Sequence, residues 1–186
     1  MLKLLGPAVL AFVALGLLTL HKGPVGVDRA AFDVLDPVVT AKGRDVVRVV
    51  TEIGSYPVVV LVALVGAMLA ARSGRTDTAL ALAVGVVLLI LAVTATKQIW
   101  DRPRPVGRFY DPHGHSFPSG HSAYVITWIA AAAAVGGRRL IVAALSVAVA
   151  IGVCRLYLHV HYLTDVLGGY ALGVAIFAPV LVRNRR

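Results

Sequence analysis

TALALAVGVVLLILAVTATKQI, residues 78–99, carries no charged side chain from Thr78 to Thr96 and then brings Lys97 to its far end. A helix crossing the hydrocarbon core of a bilayer needs about 20 mostly apolar residues, so this stretch is long enough to span. Its apolar residues do not alternate with polar ones, which argues against a barrel strand. A backbone in lipid must satisfy its own hydrogen bonds, which leaves a helix. Just beyond it, Asp101-Arg102-Pro103-Arg104-Pro105 cannot continue that helix, because proline lacks the amide hydrogen and clashes with the preceding turn. Lys97 and the arginines therefore sit where a helix breaks at the membrane surface.

Five further stretches read the same way: Leu4–Leu20, Ser55–Ala71, Pro118–Val135, Leu140–Leu156 and Tyr162–Val182. The 186-residue chain is 59% hydrophobic and 15% charged, with a mean hydropathy of +0.85. That composition marks an integral membrane protein, and the length suits one domain, residues 1–186. Lys3 and the apolar run after it resemble a signal peptide, but Leu18-Thr19-Leu20-His21 is no cleavage site, so the segment reads as a retained anchor. The net charge of +9 raises nucleic-acid binding. The basic residues lie at helix ends and in loops, however, so membrane topology accounts for them and no nucleic-acid partner is expected. A single cysteine, Cys154, excludes an internal disulfide.

The predicted fold is an all-α integral membrane bundle of six transmembrane helices. Its longest connection, residues 21–54, mixes charged and apolar residues. Val46, Val49, Val50 and Ile53 share one helical face, with Arg44, Asp45, Arg48 and Glu52 elsewhere around the turn and Pro37 dividing the segment. Amphipathic interfacial helices between spans one and two fit this pattern, and so does a folded loop packed on the bundle. Six spans put both termini with the basic links Arg72–Arg75 and Gly136–Arg139 and the tail residues Arg183, Arg185 and Arg186. The cations on the opposite side are largely matched by acids or belong to the motifs. The expectation is a cell-membrane protein with cytoplasmic termini and an extracytoplasmic site.

Three polar stretches fall on that one face. Lys97, Arg102 and Arg104 suit an anion, since guanidinium forks bind phosphate oxygens bidentately and lysine acts as a point charge. Snorkelling cations that anchor a helix end would look the same. Pro118-Ser119-Gly120-His121 opens the fourth span. Proline suits a first turn, and free amides at a positive helix end favour an anion, with Ser119 and the Gly120 amide as donors. A simple cap with an incidental histidine is the plain alternative. Asp165 lies inside an apolar run, where an ionisable group is costly and usually functional. His161, four residues earlier, is expected on the same helical face. A carboxylate on one ring nitrogen frees the other as a nucleophile. A structural pair clamping two helices is the plainer reading of His161 and Asp165. His159 is expected to point elsewhere. Gly168 and Gly169 allow close helix packing. Trp100, Phe109 and Tyr110 are placed at the headgroup level.

These stretches resemble the type-2 phosphatidic acid phosphatase superfamily, whose pattern is K-x6-R-P, P-S-G-H and S-R-x5-H-x3-D. Here they read Lys97-x6-Arg104-Pro105, Pro118-Ser119-Gly120-His121 and Cys154-Arg155-x5-His161-x3-Asp165. The motif core is residues 97–165, and the spacing selects Arg104 over Arg102. The resemblance implies a lipid phosphatase working without metal or other cofactor. Lys97, Arg104, Ser119, Gly120 and Arg155 would bind the phosphate. His161 would be the nucleophile forming a phosphohistidine, Asp165 would orient it, and His121 would be the general acid and base. Cys154 stands where the family has serine, and a thiol is a weaker hydrogen-bond donor.

The implied substrate is a phosphorylated membrane lipid: undecaprenyl diphosphate, phosphatidylglycerophosphate or phosphatidic acid. A different class also fits the composition: a metal-binding transporter or channel using His113, His115, His121, His159 and His161. Vanadate-dependent haloperoxidase chemistry would need the same pocket, but those relatives are soluble.

Overall fold

The computed structural model describes residues 2–183, with side chains from Lys3 to Val182. Met1 and residues 184–186 lie outside the described residues, and with them Arg185 and Arg186 of the expected basic tail. Nine α-helices occur among the described residues, with no strand. They are α1 (Leu2–Leu18), α2 (Gly26–Leu35), α3 (Ala41–Thr51), α4 (Tyr56–Arg72), α5 (Thr76–Trp100), α6 (Gly120–Tyr124), α7 (Ile126–Val135), α8 (Arg138–Tyr157) and α9 (Leu163–Arg183). Four stretches are long and apolar enough to cross a membrane: Ala41–Arg72, Thr76–Trp100, Arg138–Tyr157 and Leu163–Val182. Lys3–Leu18 and Gly120–Val135 are shorter apolar helices.

The outer surface is apolar. Leu61, Leu64, Leu80, Leu91, Val142 and Val149 are all exposed. A helix apolar on every side belongs in a core or in lipid, and these faces point outward. Inside, Leu82, Leu89, Val93, Ala130, Ala134 and Phe177 form the core. Helix α9 is the hub and packs against α1, α5, α6 and α7. Small residues permit this closeness, as lipid-embedded helices require. A Cβ on Gly169 would lie 2.5 Å from the Ser119 carbonyl oxygen, so only glycine lets α9 approach the start of α6.

Three details depart from the sequence expectation. Pro118 precedes the fourth apolar helix instead of opening it. Ser119 is the N-cap, its oxygen accepting from Ser122 N at 3.5 Å, and the helix breaks at Val125 into α6 and α7. His161 is not on the helix that carries Asp165. Helix α8 ends at Tyr157, His159 turns the chain with φ of 52°, and α9 begins only at Leu163. Trp100 faces inward, donating to the Gly16 carbonyl at 2.8 Å and packing on Phe12 and Phe117.

Residues 21–54 fold as α2 and α3, each followed by a short 3₁₀ turn, Asp36–Val38 and Glu52–Gly54. Thr40 caps α3, accepting from Gly43 N at 3.0 Å. Helix α2 packs on α8 and α9, and α3 packs on α8. Two polar residues of this segment, Asp28 and Thr51, are fully buried.

Candidate active site

The end of α5, the start of α6, the end of α8 and the start of α9 meet at one end of the bundle. Helix α5 closes with Asp101 in the left-handed region, φ 45°, and its amide bonds the Lys97 carbonyl at 3.1 Å. The 101–119 loop then folds back, held by Ser116 N to Arg102 O at 2.8 Å and Phe109 N to Leu158 O at 3.2 Å. The Ser119 amide donates to the Asp165 carbonyl at 2.9 Å, which joins the second and third motifs directly.

Arg104 reaches across the centre. Its guanidinium donates to the carbonyls of Gly114 at 2.9 Å, His113 at 3.1 Å and Val160 at 2.8 Å, and Nη1 lies 3.1 Å from His161 Nε2. Arginine has only donors. His161 Nε2 therefore presents its lone pair and the ring proton sits on Nδ1. That nitrogen lies 3.5 Å from Asp165 Oδ2, facing the carboxylate beyond good hydrogen-bond length. Burial, then the nearby Arg104, Lys97 and Arg155, hold the His161 pKa well below the usual histidine value. A neutral, Nδ1-protonated imidazole is the form a nucleophilic histidine requires, and here Arg104 occupies its Nε2 lone pair.

Lys97 Nζ donates to the His115 carbonyl at 2.5 Å and lies 3.4 Å from that of Ser116. Arg155, 1% exposed, donates to Thr51 Oγ1 at 3.3 Å and lies 5.7 Å from the Tyr110 ring. Burial, then repulsion from Arg155, pull the Arg104 pKa down to about 10. The cations stand close enough to oppose one another's charge. Among the described residues none of Lys97, Arg104 and Arg155 forms an ion pair with a carboxylate; their partners are carbonyls and a hydroxyl. Charges withdrawn from water need a counter-charge, so this arrangement favours an anion.

The other site candidates fall around this cluster. Ser119 is fully buried, and its oxygen also accepts from Ser122 Oγ at 3.0 Å. Gly120 and His121 hold the first two amides of α6, which have no acceptor within a helix. His121 Nε2 is buried without a hydrogen-bond partner. Cys154 is buried beside Arg155.

The motif spacing passed over Arg102, and no sequence signal marked Asp28. Both are fully buried and form an ion pair at 2.9 Å, and Arg102 also pairs with Asp165 Oδ1 at 2.6 Å. Motif spacing favoured Arg104, and nothing local links Asp28 to a residue more than seventy positions away. His115 and His159 are held by carboxylates of their own, away from His121 and His161. His159 pairs with Asp36 at 2.8 Å between the rings of Phe32 and Phe109, and His115 pairs with Asp101 at 2.8 Å. Among the described residues no group of three or more His, Cys, Asp or Glu side chains is arranged to hold a metal ion.

Helical architecture and an apolar outer surface define a membrane protein, with buried cations gathered beside a histidine at one end of its bundle. The chain belongs to the PAP2 superfamily, which residues 78–185 match. It is 38% identical over 72 residues to phosphatidylglycerophosphatase B of Bacillus subtilis (strain 168), a match spanning 33% of this chain and 36% of that relative. The chain thus aligns with about a third of the length of this curated relative. The crystal structure of a transmembrane PAP2-type phosphatidylglycerolphosphate phosphatase from Bacillus subtilis superposes with a TM-score of 0.78 at 26% identity. That comparison covers 97% of this chain and 94% of the other. Aquifex aeolicus LpxE shares the fold, with a TM-score of 0.64 at 20% identity over 81% of this chain and 92% of that one. The chain is a multi-pass membrane protein.

Proposed function

We propose that this protein is a lipid phosphate phosphatase that removes a terminal phosphate through a phosphohistidine. One observation carries the reading: three cations, with no carboxylate partner among the described residues, gather at a histidine whose lone pair lies on Nε2, toward Arg104. Lys97, Arg104 and Arg155, with Ser119 and the Gly120 amide, bind the phosphate oxygens. His161 Nε2 attacks phosphorus in line as the bond to the lipid oxygen breaks, and His121 gives its proton to that oxygen. The ring of His161 becomes cationic and Asp165 stabilises it. His121 then takes a proton from water, the hydroxide attacks phosphorus, the N–P bond breaks and phosphate leaves. Positioned acid–base groups contribute roughly 10²–10⁴-fold, and fixed cations stabilise the developing charge.

The relatives' names make phosphatidylglycerophosphate the first substrate to test, ahead of undecaprenyl diphosphate and phosphatidic acid. In this reading α1, α4, α5, α6 with α7, α8 and α9 form six spans. Helices α2 and α3 lie at the interface, their buried faces against α8 and α9. Basic links at the opposite end support an extracytoplasmic site.

The test is phosphate release from the three lipids by purified protein. Wild type hydrolyses at least one, is blocked by vanadate and survives EDTA. His161→Ala releases none. Near-wild-type turnover by His161→Ala ends the assignment.

A further inference from the structure

We propose that Asp28 and Arg102 are positioning residues for His161: Arg102 is divided between Asp28 and Asp165, so that a net negative charge remains on the carboxylate facing the imidazole. The inference rests on the phosphatase reading above and extends it to α2, which the three motifs do not include.

A carboxylate paired one-to-one with a guanidinium is nearly neutral to its neighbours. Here a single cation serves two acids. Arg102 Nη1 bonds Asp165 Oδ1 at 2.6 Å and Nη2 bonds Asp28 Oδ2 at 2.9 Å, with all three side chains fully buried. The cluster therefore sums to one negative charge. Thr164 ties it together. Its amide and hydroxyl both donate to Asp28 Oδ1 at 2.9 Å, and its hydroxyl accepts from Arg102 Nη1 at 2.8 Å. The Gly23 carbonyl accepts from Nη2 at 2.8 Å, and the guanidinium lies 4.1 Å from the Tyr162 ring.

Asp165 is also held from its other side. The Ser116 hydroxyl donates to Oδ2, and the Tyr162 amide, just before α9, donates to it at 2.8 Å. With both oxygens anchored, the carboxylate cannot rotate, and Oδ2 stays toward His161 Nδ1. The other groups that act on His161 are Arg104 from the 101–119 loop, Lys97 from α5, Arg155 from α8 and His121 from α6. Each is a cation or a potential one. When His161 bonds to phosphorus its ring turns positive among them. The net charge of the Asp28–Arg102–Asp165 cluster is the counterweight.

The test uses the full chain in detergent micelles with phosphatidylglycerophosphate, or whichever lipid wild type hydrolyses, at saturation. The acid limb of kcat against pH reports the histidine that must be neutral in the complex. Asp28→Asn takes the cluster from −1 to 0, so the limb moves down by about one pH unit and plateau kcat falls about tenfold. Arg102→Gln takes it to −2, so the limb moves up by about one unit. The double variant restores −1 and returns the limb to the wild-type position. Each variant carries its own sign, so one that fails to fold leaves the others decisive. Lower kcat in all variants with an unmoved limb, or shifts in one direction only, overturns the proposal and leaves the cluster a structural clamp. Activity in His161→Ala would instead overturn the phosphatase reading.

Discussion

Arg104→Lys keeps the charge at the centre of the site and removes only its geometry. The guanidinium spans two loops at once. Nε and Nη2 take carbonyls of the 113–114 turn, while Nη1 takes the Val160 carbonyl and faces His161 Nε2. A single ammonium reaches one of these groups and not both. The substitution therefore loses about two charge-assisted hydrogen bonds, each contributing about 1.5 kcal/mol. The sum of about 3 kcal/mol corresponds to roughly a 100-fold loss in kcat/KM. Part of the loss has a separate signature. Without the donor at Nε2, His161 is free to move its proton from Nδ1, so a nitrogen-detected spectrum of labelled histidine shows a mixed tautomer. Phosphate release under subsaturating lipid gives the rate, and thermal unfolding confirms that the bundle is intact. An Arg104→Lys enzyme within about threefold of wild type, with a tautomer unchanged, would refute the claim that fork geometry and not charge organises this site.

Gly169→Ala puts a methyl 2.5 Å from the Ser119 carbonyl oxygen and 3.0 Å from Ala123 N, so α6 must move off α9, costing about 1–3 kcal/mol on thermal unfolding. Stability should also fall with acid through His161. Its folded-state pKa is depressed, so below the ordinary histidine value of 6.5 the unfolded chain binds a proton that the folded chain does not. Folding stability is thus full above that value and declines as pH drops, by up to about 1.4 kcal/mol per pH unit. His161→Gln removes that part of the slope, and an unchanged slope in denaturant titrations would count against it. At the other end, phosphate binding should weaken above about pH 10 as Arg104 loses its proton, read as a rise in KM. Thr51→Val removes the hydroxyl that Arg155 bonds, and vanadate inhibition should weaken about fivefold to tenfold for about 1 kcal/mol lost.

Helices and motifs are local properties, and they were legible in the chain. A lipid-facing helix must be apolar along its whole length, so each apolar stretch advertised itself, and the termini of α4, α5 and α8 fall within two residues of the expectation. That Lys97, Arg104, Ser119, Gly120, His121, Arg155, His161 and Asp165 meet at one end of the bundle was expected for a related reason. Polar side chains at the ends of apolar stretches have few structural uses, and their spacing is a fixed pattern. The same locality misled the placement of His161. Four residues separate it from Asp165, which suggested a shared helix face, yet the left-handed turn at His159 brings the ring to the carboxylate from outside the helix.

Only the tertiary structure decided which charges meet. The residues 21–54 segment presented its acids as ordinary loop charges, while Asp28 is fully buried against Arg102 and Thr164. Arg102 and Arg104 are two positions apart and chemically identical, yet among the described residues one is matched by two carboxylates and the other by none. That division follows from burial. A charge removed from water takes whatever counter-charge the packing supplies, and packing joins residues by distance in space, to which their order along the chain is indifferent.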